Sequence, residues 1–254
     1  MLIDTHAHLH LKDYEADADE VIARSRAAGV EQIVCVGTDA EDSRRAVEFV
    51  QKRDGLWATV GLHPHDAAAG RAALDKIAQL AARPKVVGIG ECGLDFYRNL
   101  SPATDQERAL RFQIELALEH DLALVFHVRE AFPDFFRIVG DYDIKRAVVH
   151  CFTAGRAEME TAIERGFYVA LNGIMTFTKD EQQLAAARLL PLDHLVLETD
   201  CPFLTPAPKR SQRNEPANTA LTARFLAKLR DESLEELSKA TTTNAQRLFN
   251  IRVR

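Results

Sequence analysis

No apolar run in the sequence approaches the roughly 18 residues of a membrane span, and Met1-Leu2-Ile3-Asp4 offers neither the basic nor the apolar stretch of a secretory leader. The expected compartment is the cytoplasm, with no membrane partner. Cysteine is sparse: Cys35, Cys92, Cys151 and Cys201 are scattered without metal-type spacing, which excludes a zinc ribbon and a disulfide scaffold and leaves reduced thiols. A surplus of positive charge is also missing. The net charge of −6 gives no global attraction to nucleic acid, although two bound divalent ions would add about four positive charges locally and invert the field around them. Linkers and low-complexity stretches are absent, so 254 residues with 46% hydrophobic content are expected to form one domain, 1–254.

What the sequence does contain is an alternation of short runs rich in Val, Ile and Leu with longer segments of helical period, the pattern of repeated βα units. Strands are expected over Leu2–His8, Gln32–Gly37, Trp57–His63, Val86–Glu91, Ala123–Val128, Ala147–Phe152, Tyr168–Gly173 and Leu195–Asp200. Helices are expected over Ala16–Ala28, Ala40–Lys52, Ala72–Ala82, Asp105–His120, Ala131–Gly140, Ala157–Arg165, Asp180–Leu190 and Thr219–Arg230. Gly29, Gly140 and Gly166 stand where helices should stop, and Ser233-Leu234-Glu235-Glu236 is a capping box opening one further C-terminal helix. Eight such units predict an α/β fold of the TIM-type (β/α)8 barrel, with its active site at the C-terminal strand ends.

The residues at those ends carry the chemistry. Asp4, His6 and His8 share one face of the first strand, because side chains alternate along a strand. On the same inward register as barrel-filling residues, Ile89 precedes Glu91, Val125 precedes His127, Val148 precedes His150, and Val196 and Glu198 precede Asp200. Four imidazoles and two carboxylates are too many for one tetrahedral zinc but suit two divalent ions about 3.5–4 Å apart. We expect His6, His8 and Asp200 to hold one ion, His127 and His150 the other, and Glu91 to bridge them. Magnesium, manganese or zinc all fit mixed N/O donors. Asp200 is expected to accept a proton from the attacking water, which with Glu91 makes the catalytic pair.

Around that set, His63 and Arg129 are expected to contact substrate phosphate oxygens, His63 from the end of the third strand and Arg129 through its planar fork. A loop hydrogen bond for His63 and a salt bridge to Glu130 or Asp134 for Arg129 are the bland alternatives. Arg210, with Lys209 and Arg213 in the loop Pro206–Pro216, is expected to guide a strand's backbone toward the metals, against a merely solvated loop. Phe96, Tyr97 and Phe203 follow ligand motifs, where aromatics more often pack loops than stack on bases. Glu198 and Asp4 face inward beneath the ligands and are expected to support them by hydrogen bonds. Cys92, Cys151 and Cys201 each follow a ligand, but parity turns them outward toward the helices, so they are packing residues and not nucleophiles.

The segments Ile3-Asp4-Thr5-His6-Ala7-His8, Gly61-Leu62-His63-Pro64, Gly90-Glu91-Cys92-Gly93-Leu94-Asp95, Phe126-His127-Val128-Arg129, His150-Cys151-Phe152 and Glu198-Thr199-Asp200-Cys201-Pro202 occur in this order. Through them nearly the whole chain resembles the TatD-related metal-dependent deoxyribonucleases of the amidohydrolase-like barrel superfamily. The resemblance implies the same ligand set as the strand parity, and it implies phosphodiester hydrolysis in DNA, as a 3′→5′ exonuclease on single strands. Departures from the family pattern fall in loops: Cys92 after Gly-Glu, Thr153-Ala154 ahead of Gly155, and Ser211 where a glycine is common. No obligate protein partner is evident, and a monomer is expected.

Two other readings compete. A related barrel hydrolase would cleave a small ester, amide or lactone. Many amide-cleaving relatives bridge their metals with a carboxylated lysine, whereas this chain has Glu91 there and its nearest lysine, Lys85, precedes the strand. A non-catalytic metal- or nucleic-acid-binding barrel would be marked by loss of the water-activating carboxylate, but Asp200 is present.

Overall fold

The computed structural model describes residues 1–252. Eight strands appear in chain order: β1 (Leu2–Ala7), β2 (Val30–Val36), β3 (Leu56–Val60), β4 (Val86–Asp95), β5 (Ala123–Arg129), β6 (Ala147–Val149), β7 (Tyr168–Leu171) and β8 (Leu195–Leu197). They form one sheet in the order β1 to β8, and β1 meets the segment after β8 through a parallel bridge from Ala7 to Cys201. The fold is α/β, a TIM-type (β/α)8 barrel. Its α-helices are α1 (Ala18–Ala27), α2 (Ala40–Gln51), α3 (Gly70–Ala81), α4 (Ala103–Glu119), α5 (Phe132–Val139), α6 (Arg156–Glu164), α7 (Glu181–Leu189), α8 (Thr219–Arg230) and the C-terminal α9 (Leu234–Phe249). No described helix is long and apolar enough to cross a membrane.

The chain divides into two compact units, one of Met1–Cys35 with the chain from Cys151 onward, the other of Val36–His150. In the first, β1 pairs with β2 and β7 with β8, all parallel. The clasp on β1 is the last helix: Thr242 donates its hydroxyl to the Met1 carbonyl at 2.9 Å, and the Asn244 amide donates to the carbonyls of Leu192 and Leu195, both at 2.8 Å. Ser233 accepts from the Glu236 N–H at 3.1 Å, as a capping box requires, but the Glu236 carboxylate takes the Ser233 hydroxyl at 2.9 Å instead of the backbone N–H at the cap.

In the second unit β3, β4, β5 and β6 pair in parallel, and β4 is buried along its whole length. The strand outruns its expected end at Glu91 because Cys92, Gly93, Leu94 and Asp95 pair in register with Phe126, His127, Val128 and Arg129. Gly93 permits this approach. Its φ is 151°, and a Cβ there would lie 1.9 Å from the His127 carbonyl oxygen. Gly140 ends α5 as expected, and does so in a right-handed conformation at φ −64°, its N–H bonded to the Phe136 carbonyl.

Candidate metal centre

In the first unit, β1 ends with His6 on its inward face and His8 just beyond. Asp200 follows β8 with φ 57°, a left-handed conformation that turns the backbone at that point; its N–H donates to the His6 carbonyl at 2.9 Å. The Asp200 Oδ1 lies 3.7 Å from His6 Nε2 and 3.3 Å from His8 Nε2, and the two rings meet edge to face with centroids 5.1 Å apart. Both histidines are buried, while the Asp200 side chain keeps 17% exposure, so water reaches the carboxylate. One donor atom from each of the three lies within 4.8 Å of the others, a spacing that fits a single divalent cation.

Asp4 and Glu198 lie fully buried under this cluster. The Asp4 carboxylate accepts from the N–H of His6 at 3.2 Å and of Thr199 at 3.0 Å, and from the Thr199 hydroxyl at 2.6 Å. It therefore fixes the backbone carrying His6 and Asp200 and leaves the imidazoles alone. Burial pushes its carboxyl up to about 8, with these hydrogen bonds acting in the opposite direction. Glu198 accepts from the Cys151 N–H at 2.7 Å and from the Asn172 amide at 3.0 Å, pinning the chain immediately after His150.

In the second unit, Glu91 Oε1 stands 2.8 Å from His127 Nδ1, 2.8 Å from His150 Nε2 and 3.4 Å from His63 Nε2. Burial acts to raise the Glu91 carboxyl but is outweighed by His150, His63 and His127, which hold it well below the ordinary carboxylate range. Burial likewise opposes charge on His127, and there the carboxylates of Asp95 and Glu91 prevail and raise its pKa. His127 Nδ1 and His150 Nε2 are 3.3 Å apart, so Glu91, His127 and His150 turn three donors toward one point.

His63 has a different part. Its Nδ1 accepts from the His65 N–H at 3.0 Å, closing the turn that opens the short 3-10 segment Pro64–Ala69. A neutral imidazole whose Nδ1 accepts carries its proton on Nε2, the atom facing Glu91. Burial lowers its pKa, which favours this neutral form. His63 thus satisfies the spacing for a ligand set with Glu91 and His127, yet presents an N–H donor in place of a lone pair.

Strand alternation alone had not singled out Asp95. Its Oδ2 is 3.1 Å from His127 Nε2 and 2.9 Å from His65 Nε2, and its Oδ1 accepts from the Arg98 N–H at 2.7 Å. The carboxylate is buried and lies below the usual range; burial acts against this, and His127, the Arg98 N–H and His65 outweigh it. With Nε2–H of His127 given to Asp95, Nδ1 is the nitrogen left for a cation. The available signal was periodic: Asp95 stands four positions after Glu91, on the same face of a strand that continues that far.

The cations lie farther out. Arg129 is exposed, with its guanidinium carbon 3.8 Å from the Tyr97 ring centroid, and Asp134 pairs with Arg137 instead. Arg210 lies over Phe177 at 3.6 Å and donates to the Thr205 carbonyl. Arg213 is committed to Asp17 at 2.7 Å and stacks on Tyr14, so part of the positive charge in its loop is neutralised within the fold. Phe203 is exposed and edges onto His8, with ring centroids 6.4 Å apart. Cys92 and Cys201 are wholly buried, and burial pushes the Cys201 thiol up to about 12, which removes it as a nucleophile at neutral pH.

Buried histidines and carboxylates at the C-terminal ends of barrel strands define a metal-dependent hydrolase. The model of the TatD related DNase family matches residues 3–250, and the chain belongs to that family. It is 39% identical over 254 residues to the uncharacterized metal-dependent hydrolase YabD of Bacillus subtilis, spanning 99% of this chain and 100% of that protein. It is 38% identical over 261 residues to the 3′-5′ ssDNA/RNA exonuclease TatD of Citrobacter rodentium, spanning 98% of each. Among solved structures, the TatD homologue YjjV of Escherichia coli superposes with a TM-score of 0.94 at 29% identity, covering 99% of this chain and 98% of that one.

Proposed function

We propose that the protein is a nuclease that removes nucleotides from the 3′ end of single-stranded DNA with the help of two divalent ions, magnesium, manganese or zinc. The observation that carries the proposal is the pair of donor clusters, His6 with His8 and Asp200, and Glu91 with His127 and His150. Each combines imidazole and carboxylate at the distances a single cation needs. The relatives named as exonucleases, similar over nearly their full length, supply the substrate class.

Bound there, divalent ions lower the pKa of water and neutralise charge developing on a phosphodiester. The chain's own groups complete the reaction. Asp200, open to solvent, accepts the proton of the attacking water. His63, whose Nδ1 accepts from the His65 N–H, carries its proton on Nε2, 3.4 Å from Glu91, and gives that N–H to a non-bridging phosphate oxygen. Arg129 and Arg210 supply positive charge along the backbone of the strand.

Single-stranded DNA labelled at either end, offered beside ester and lactone substrates, tests the substrate class. Progressive loss from the 3′ end is expected. Turnover of the small substrates alone would overturn the assignment. Chelation should abolish turnover and re-addition of Mg²⁺, Mn²⁺ or Zn²⁺ restore it; each ion at a hundred times its Kd should add about 2.7 kcal/mol of stability in calorimetry. Asp95→Asn should weaken ion binding about 10- to 100-fold in titration calorimetry while the fold survives, because the replacement no longer fixes the His127 proton on Nε2. Unchanged affinity would remove Asp95 from the site.

A further inference from the structure

The Arg129–Tyr97 pair stands apart from every other stacked arginine described in the molecule. Arg71 over Phe112 also binds Asp75, Arg111 over Tyr142 binds Glu107 and Asp141, Arg213 over Tyr14 binds Asp17, Arg53 over Phe49 binds a carbonyl, and so does Arg210 over Phe177. Among the described residues the Arg129 guanidinium makes no hydrogen bond or ion pair, and its only described partner is the ring of Tyr97. Tyr97 in turn is 56% exposed, although it is a large aromatic that folding normally covers.

The platform is also rigid. Arg129 ends β5 opposite Asp95, and the turn bearing Tyr97 is tied at both sides: the Phe96 N–H donates to the Arg129 carbonyl at 3.0 Å and the Arg98 N–H to Asp95 at 2.7 Å. The same Asp95 carboxylate holds His127, so the exposed ring and the ligand are referenced to one buried group. A planar cation covers one face of the ring, and the exposure of the ring leaves aromatic surface for another planar partner.

We propose that Tyr97 is the stacking platform for a nucleobase of the bound strand, with the unused N–H edge of Arg129 taking the phosphate attached to that nucleotide. The proposal rests on the nuclease reading above and deepens it: the subsite would hold any base by its π face, so binding there is tolerant of sequence and selects against a strand end that lacks a base. The tyrosine hydroxyl is not needed, only the ring.

The test compares a single-stranded oligonucleotide with one whose 3′-terminal residue is abasic, using wild type, Tyr97→Ala and Tyr97→Phe. Tyr97→Ala should raise KM on the normal strand about 5- to 100-fold with kcat little changed, leave the abasic strand unaffected, and be rescued by Tyr97→Phe. A separate binding experiment, with 2-aminopurine at the 3′ end and Ca²⁺ in place of the supporting ion, should show fluorescence quenching that Tyr97→Ala removes. Equal effects of Tyr97→Ala on both strands, or none on either, would overturn the platform while leaving the nuclease reading intact. Quenching by wild type without any strand cleavage would overturn the nuclease reading and keep the platform. Neither binding nor cleavage would overturn both.

Discussion

Asp200→Asn should lower the rate of oligonucleotide hydrolysis about 10²- to 10⁴-fold at saturating metal, the range over which a positioned proton acceptor acts. The substitution isolates chemistry from folding unusually well. Asp200 sits at φ 57°, and asparagine is among the few residues that adopt this left-handed conformation readily, so the backbone and its bond to the His6 carbonyl persist. Only the charge and the basic lone pair are lost. Glu91→Ala removes the carboxylate that lies 2.8 Å from both His127 and His150 and should abolish detectable turnover together with part of the metal content. Initial rates and bound metal measured on the same preparations check both variants. Full activity in the pair would end the two-metal proposal.

Gly93→Ala is expected to be severely damaging. At φ 151° an alanine is strained before any neighbour is considered, and its Cβ would fall 1.9 Å from the His127 carbonyl oxygen, less than any real contact. Relief requires β4 to move off β5 in the stretch where Glu91 and Asp95 grip the two nitrogens of His127. The cost should exceed about 3 kcal/mol in denaturant unfolding, as for other combinations of backbone strain and core overlap. Metal binding should fall along with stability. A variant with wild-type stability and affinity would show that the close approach of the two strands is not needed.

The alternation of apolar and polar residues was enough to name the donors that gather in the two clusters, because period two decides which side chains face inward. It also placed α8 at Thr219–Arg230 with its observed bounds. Where it fell short, the controlling forces were not local. β6 and β8 stop at Val149 and Leu197, ahead of the ligands they were expected to include, so His150 and Asp200 stand on chain whose direction is set by Glu198 and Asp4. β4 runs past Glu91 only because β5 offers a pairing partner, and that extension brings Asp95 to His127. The His63 proton position follows from a turn that bonds one residue's ring to a backbone N–H two positions on, information a pattern of hydrophobicity does not carry. The sequence predicts phosphate or an acidic neighbour for Arg129, whereas its stacking on Tyr97 follows from the pairing of β4 with β5, which no local pattern encodes.

The clasp between the first strand and the last helix has a temporal side. Translation delivers His6 and His8 early, but Asp4 finds its hydroxyl and amide donors on Thr199, 195 positions later, and Met1 is held by Thr242, 241 positions later. The cluster of Glu91, His127 and His150 is complete in sequence long before that. On the ribosome, where a chain grows from its N-terminus, the cluster whose two histidines are encoded first is therefore the one finished last, when Asp200 and its neighbours arrive.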